Sequence, residues 1–537
     1  MSCSRLARVT AVALAVSLGG VALSACGARV APYLGAGAGI GQGNLAAGTV
    51  RPVSSGSSGA NGANGTSVSN AVVNPGQGAA SSSAGSNSPG VSTAPTSGGN
   101  VRTTGSTPPP SALSLANFSY DPATQAAYCP NANGNTASAP GVTPSSIVFG
   151  NVSGLTGALT GTFGAGYEAV QAAFDGVNAA GGICGRKLEL LVENDNQDAS
   201  TNAADVANLI AHPVFAFAGS LSDADNGGVQ EMQQANVPDI GFAINTNRSL
   251  SPDYWSAGGG SGLYVRNGIA YAPNTIMAAQ KQFGQFPTRM AFLSYNISIS
   301  ASAAQMYATL YKESGASICY TDYSISVATA SLQGDVIQME SNHCNGVYTT
   351  MDVVGNSKML QAMQQQNWYP PFFASTFDTY TPAQITEAGQ SAAQGFQTSL
   401  PALPLNSSNP LVRLYISELA RYEPGKQPSE FGFQDFVNAE MLFYALVKSG
   451  HAPTRQSIVN VFDSIHNWTA WGAISPGTPS ERPPNPPGTS PPWFGLTPSC
   501  YVEMKVQGNQ FVRDWPAHGL YCGGAMLPVG PASNYGE

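Results

Sequence analysis

The sequence predicts an α/β protein with a two-lobed folded head, each lobe a parallel sheet flanked by helices. Three observations predict it. Short apolar runs alternate with segments whose apolar residues recur at helical spacing, the pattern of successive βαβ units. The alternation comes as two separate series, over residues 146–242 and 289–376. The stretch from about residue 120 to 537 is also longer than one compact core accommodates, which suits two lobes.

In chain order, the first element precedes the fold. Arg5 and Arg8 stand before an uncharged, mostly apolar stretch from Val9 to Ala25. Positive region, apolar core and small residues follow the order of a secretory signal. The run is shorter than the ~20 apolar residues that span a bilayer comfortably. Leu23-Ser24-Ala25-Cys26 followed by Gly27 resembles the bacterial lipobox. That resemblance implies cleavage after residue 25 and lipid on Cys26; ordinary secretion with an unmodified cysteine is the alternative. Residues 26–111 are mostly Gly, Ser, Ala, Asn, Pro and Thr and end in "TPPPS". They hold too few large apolar residues to offset the entropy of folding. A coil of this kind, roughly 85 residues long, has an end-to-end distance of about 50 Å and reads as a tether.

Charge supports the division. No Asp or Glu occurs before Asp121, whereas five arginines do. The remainder carries sixteen basic and thirty acidic residues, a net charge of −14. An acidic head argues against nucleic acid or an anionic membrane surface as its partner. Six cysteines remain in the head, an even number that suits disulfides in an exported chain. Of fifteen possible pairings, local loop closure favours Cys129–Cys184, Cys319–Cys344 and Cys500–Cys522. The five histidines are scattered and no cysteines have zinc spacing, so neither a metal site nor a cofactor is expected.

The head opens on a buried strand, "SIVFGNV", followed by the Gly/Thr loop "GLTGALTGTFG". Tyr167, Val170, Phe174 and Val177 then mark a helix that Gly181-Gly182 stops. "KLELLVEN" is the next strand, and Asp198 or Ser200 caps a helix carrying Val206, Leu209 and Ile210. "VFAFAG", "GGVQEMQQAN" and "PDIGF" read as strand, helix and strand. The second series runs "RMAFLSY", a helix with Met306, Leu310 and Tyr311, then "ASICYTDY", "LQGDVIQMES", "GVYTTMD", "SKMLQAMQQQ" and "PFFAST". Parallel sheets place ligands beyond the carboxyl ends of their strands, so two facing lobes enclose a cleft suited to a small molecule.

The stretch "GLTGALTGTFGAGYEAVQAAFDGVNAAGGICGRKLELLVENDNQD" (154–198) resembles the opening of the leucine/isoleucine/valine-binding family of type I periplasmic binding proteins. "NAAGGICGRK", "FAGSLSDADNGG", "VPDIGFAINT", "GVYTTMDVVGNSKMLQAM" and "AAQGFQTSLP" follow in the family's order. The resemblance spans about 141–446. It implies a two-lobed receptor joined by a multi-strand hinge, which captures a small polar solute and delivers it to the permease of an ABC importer. It implies the following organisation: signal peptide 1–25; tether 26–111; first lobe 112–270; second lobe 271–395; first-lobe return 396–496 with a Pro-rich loop 475–494; second-lobe return 497–537. A lipid tether would hold such a receptor at the outer face of the bacterial membrane.

The resemblance also implies cleft residues. Ser222 and Asp223 follow the third strand, Ile244 (through its backbone) and Thr246 follow the fourth, and Phe163 stands where the family places an aromatic over the ligand. Tyr271, Ile299, Asp352, Thr376 and Asp378 come from the second lobe. Each has a structural alternative: Ser222 and Asp223 as helix caps, Thr246 as a turn residue, Phe163 and Tyr271 as packing, the two later aspartates as solvated loop acids. Ile299 stands where the family often has tyrosine, and Thr376 where it often has a cleft glutamate. These departures leave the partner of a ligand ammonium open and admit an amide, a peptide fragment or a less polar solute. No nucleophile elbow, reactive Cys/His pair or metal cluster points to catalysis. A ligand-responsive sensor of the same fold remains the alternative to transport.

Overall fold

The computed structural model describes residues 125–157, 159–249, 251–257, 269–271, 289–465, 468–474, 500–522 and 526–528. Cys26, the tether 26–111 and the Pro-rich loop 475–494 lie outside them. Among the described residues no helix is long and apolar enough to cross a membrane.

The first series forms β1 (Ser146–Ser153), α1 (Thr160–Ala179), β2 (Lys187–Asn194), α2 (Ala199–Ala211), β3 (Ala216–Ala218), α3 (Val229–Ala235), β4 (Asp239–Ile240), α4 (Thr246–Ser249) and β5 (Tyr254–Trp255). The strands are all parallel, in the order β2-β1-β3-β4-β5. β1 and β2 pair from Ser146↔Lys187 to Ser153↔Asn194. Val170, Phe174 and Val177 turn into the core, as their spacing predicts. Gly181 and Gly182 end that turn at positive φ, a conformation open to glycine. The α2 cap is Asp198, whose carboxylate accepts the Thr201 N–H at 2.8 Å. The Ser200 hydroxyl donates to the same oxygen.

The second series forms β6 (Ile269–Tyr271), β7 (Arg289–Tyr295), α5 (Ser298–Glu313), β8 (Ser317–Ile325), α6 (Gln333–Ser341), β9 (Gly346–Thr349), α7 (Val353–Gln366), β10 (Phe372–Ser375), α8 (Pro382–Ala388) and β11 (Gln397–Leu400). The run β8-β7-β9-β10-β11 repeats the strand order of the first lobe. Antiparallel β12 (Cys500–Gln507) and β13 (Gln510–Trp515) extend it beyond β11. Two short strands complete the described set: β14 (Tyr521–Cys522) pairs with β12, and β15 (Met526–Pro528) with β6.

Between these two parts of the second sheet the chain returns to the first lobe. Helices α9 (Pro410–Tyr422), α10 (Glu430–Ser449) and α11 (Arg455–Ser464) pack with α1 in one apolar core that includes Phe149, Phe174, Tyr415, Phe443 and Phe462. α10 is buried on nearly every side, its polar Glu430, Gln434, Asp435, Asn438 and Glu440 included, as in a helix enclosed by its neighbours. β11 belongs to the second sheet and Ala402 to the first-lobe core, so the crossing falls a few residues past the expected boundary at 396. Ala402 pairs with Ile474, and both lie in the first-lobe core.

Disulfides Cys129–Cys184 and Cys319–Cys344 are formed. Cys500 is also disulfide-bonded, and the β12–β14 register sets Cys522 opposite it.

Candidate functional site

Each sheet reverses its winding at β1/β3 and at β7/β9. The crevice beyond the carboxyl ends of such strands is where open α/β sheets take ligands. Loops from both lobes contribute there. After β1, Asn194 accepts the N–H groups of Leu155 and Thr156, while Gln197 accepts that of Leu159. Gly157 has φ of 117°, and a Cβ there would lie 2.7 Å from Gln197, so this turn is restricted to glycine.

The loop after β4 is fixed from beneath by a buried ion cluster. Arg248 is 1% exposed and forms a fork with Asp239, Nε to Oδ2 at 2.7 Å and Nη2 to Oδ1 at 2.9 Å. Its Nη1 donates to Asp225 at 2.9 Å and to the Ser220 carbonyl at 2.9 Å. Asp225 in turn accepts the N–H of Ile244 at 2.7 Å and of Asn245 at 3.0 Å. A bidentate guanidinium shared between two carboxylates satisfies charges that would otherwise be too costly to bury.

Across the lobes the contact is aromatic. Phe163 of α1, Leu221, Phe242, Ile244 and Phe431 of α10 form one buried cluster, with Leu159, Ile299 and Phe377 packed against it. Ile299 and Phe377 come from the second lobe. The Phe377 ring meets Phe431 at 5.0 Å and Phe242 at 5.6 Å between centroids. Phe242 meets Phe431 at 5.3 Å, and Phe163 meets Phe431 at 6.5 Å. The geometries are edge-on or tilted, as ring quadrupoles prefer.

The structure thus gathers Phe163, Ile244 and Ile299 into one cluster. Thr376 and Asp378 flank Phe377 on the second-lobe side, and Ser222 and Asp223 follow Leu221 on the first. Ser222 is fully buried and its oxygen accepts the Ala224 N–H at 3.1 Å. Thr246 is buried at the start of α4. Asp352 caps α7 by accepting the Gly355 N–H at 3.0 Å, and it accepts the Tyr295 phenol at 2.6 Å. Tyr271 lies in β6, and its side chain is outside the described residues.

Two of these acids are raised by burial. Burial pushes the Asp223 carboxyl up to about 7, with the charge of Asp195 adding to it, and its Oδ1 is buried without a hydrogen-bond partner. Burial also raises Asp378 to about 7, opposed by a hydrogen bond with Thr376 and reinforced by the charge of Asp352. Deeper in the first lobe, Asp435 of α10 accepts the Phe242 N–H at 2.9 Å and is pushed to about 7 by burial. Glu430, at the head of the same helix, is pushed to about 8.

Sequence reasoning did not single out Phe242 and Phe431, and it covered Phe377 only as part of the stretch Thr376–Asp378. Phe242 closes the "PDIGF" strand. Phe431 lies in a helix in which polar and apolar residues alike are buried, which leaves no single apolar face to read.

Residues 146–485 match the family model described as "Periplasmic binding protein". Solved structures similar to the chain include a fatty acid ABC transporter substrate-binding protein from Thermomonospora curvata, at 16% identity and a TM-score of 0.57, covering 71% of this chain and 94% of that one. The branched-chain amino acid transporter substrate binding protein LivJ from Streptococcus pneumoniae, in complex with isoleucine, is similar at 14% identity and 0.54, covering 69% and 100%. The leucine binding protein LivK from Thermotoga maritima is similar at 14% identity and 0.54, covering 71% and 98%. A search of curated proteins finds no match.

Proposed function

Because this chain belongs to the periplasmic binding protein family, we propose that it is the solute-binding lipoprotein of an ABC importer. In this reading the lobes part and close around a small molecule, which is handed unchanged to the permease. The supporting observation is the Phe377 contact: a ring from the second lobe reaches Phe242 and Phe431 of the first, at the carboxyl ends of both sheets. The named neighbours that bind amino acids and a fatty acid are receptors of the same fold. A tether of about 50 Å from Cys26 would let the head reach a permease while remaining at the outer face of the membrane.

The test is a thermal-shift screen of the purified chain against amino acids, amides, amines, alcohols and fatty acids. A solute at 100 times its dissociation constant adds about 2.7 kcal/mol of apparent stability. A melting point that no solute moves would overturn the receptor reading. Metabolic labelling with palmitate tests the anchor: the wild-type chain takes up label and Cys26→Ser does not, whereas equal labelling would remove Cys26 as the lipid site.

A further inference from the structure

We infer, resting on the receptor reading above, that the cleft takes an apolar amine without a free carboxylate, rather than a zwitterionic amino acid or a fatty acid. The first argument is that groups suited to a ligand carboxylate are already engaged. The Ile244 N–H is donated to Asp225 and the Asn245 N–H to the same carboxylate, while the buried Ser222 hydroxyl hydrogen-bonds the Asp223 carboxyl and its oxygen accepts the Ala224 N–H. Arg248, the cation beneath this loop, is 1% exposed and shared between two aspartates.

The second argument is the wall. A solute entering between the lobes replaces the contacts of Phe377 with Phe242 and Phe431 by contacts with itself. An apolar body makes that exchange without loss. An anion would be stripped of water against phenyl rings, whose faces carry partial negative charge. A cation is tolerated on the same faces.

The third argument is charge complementarity. Among the described residues, two acids adjoin the cluster in the chain, Asp378 beside Phe377 and Asp223 two residues beyond Leu221, whereas Arg248, which donates to the Phe242 carbonyl, is already paired with Asp225 and Asp239. The buried Oδ1 of Asp223 has no partner. An ammonium supplies three donors and the opposite charge, and each charged hydrogen bond is among the stronger ones available.

Four probes that share a phenyl ring and differ in polar group decide the matter: phenethylamine, 2-phenylethanol, phenylalanine and 3-phenylpropionate. Isothermal titration of the full chain at pH 8 should rank phenethylamine first, at least about tenfold tighter than phenylalanine and 3-phenylpropionate. Asp378→Asn, a partly exposed and nearly isosteric change, should weaken phenethylamine by about tenfold and leave 2-phenylethanol within about twofold. Equal or tighter binding of either acid, binding of none of the four, or an Asp378→Asn variant that keeps its amine affinity would overturn the inference. If an acidic solute from the broader screen binds instead, the receptor reading survives and the ligand class falls. If that screen is also blank, both fall.

Discussion

Arg248 offers the sharpest test of how the first-lobe loop is held. Replacing it with methionine keeps most of the side-chain volume and removes the cation. Asp225 and Asp239, each under 4% exposed, would then be buried carboxylates without their counter-ion. The change also empties the donors that Ser220 and Phe242 receive through their carbonyls at 2.9 and 3.2 Å. Breaking a buried pair by removing one partner costs about 3–5 kcal/mol. For units of 150–250 residues each kcal/mol lowers the melting temperature by roughly 2–4 °C, so the drop should be on the order of 10 °C. Urea denaturation followed by circular dichroism, alongside a thermal melt, measures it. Adding Asp239→Asn to Arg248→Met removes one of the stranded charges and should recover part of the loss. An Arg248→Met chain within about 1 kcal/mol of wild type, or a double variant no more stable than the single, would refute the reasoning.

Three further outcomes follow from the same structure. Burial pushes Asp435 up to about 7 and Glu430 and Glu503 up to about 8, so the native state holds these protons more tightly than the unfolded chain does. Their contribution is full below the ordinary carboxyl range and is lost as pH rises through 7–8; the urea midpoint should be higher at pH 5.5 than at 8.5, and the reverse order would exclude these groups as determinants. The Cys129–Cys184 bond closes a separation of 55 residues, so the Cys129→Ser, Cys184→Ser chain should lose about 2–4 kcal/mol; a loss below about 1 kcal/mol would show that the unfolded chain gains little freedom there. Phe377→Ala removes two interlobe ring contacts of about 0.5–1.5 kcal/mol each and should raise the radius of gyration in small-angle scattering of the ligand-free chain. An unchanged profile would mean that other contacts hold the lobes together.

The two βαβ series were legible because their signals are local. "RMAFLSY" is β7 from end to end, and Asp198 stands one residue before the helix it caps; Asp352, read as a cleft residue or a solvated loop acid, is also a helix cap. Elements set by distant partners were less legible. β4 is only Asp239–Ile240 within "PDIGF", because its neighbours β3 and β5 are themselves short. In α10 the burial is so complete that periodicity vanishes, and Phe431 was passed over with it. The site divides in the same way. Position in the motif order brought out Phe163, Ile244 and Ile299, which do meet in one cluster. It could not reveal that the Ile244 N–H is engaged by Asp225, since that depends on how Arg248 and Asp239 neutralise the aspartate.

The helix Glu430–Ser449 gives the chain an order of assembly. Phe242 donates its N–H to Asp435, a partner 193 residues further on, and the aromatic wall lacks one of its rings until Phe431 is in place. A nascent chain that has emerged only as far as residue 400 holds all five strands of the first sheet and still has an unfinished half-site. Cargo capture by this lobe therefore begins only after the second lobe's parallel strands have been made, so a fragment cut between the lobes inherits the sheet without the wall.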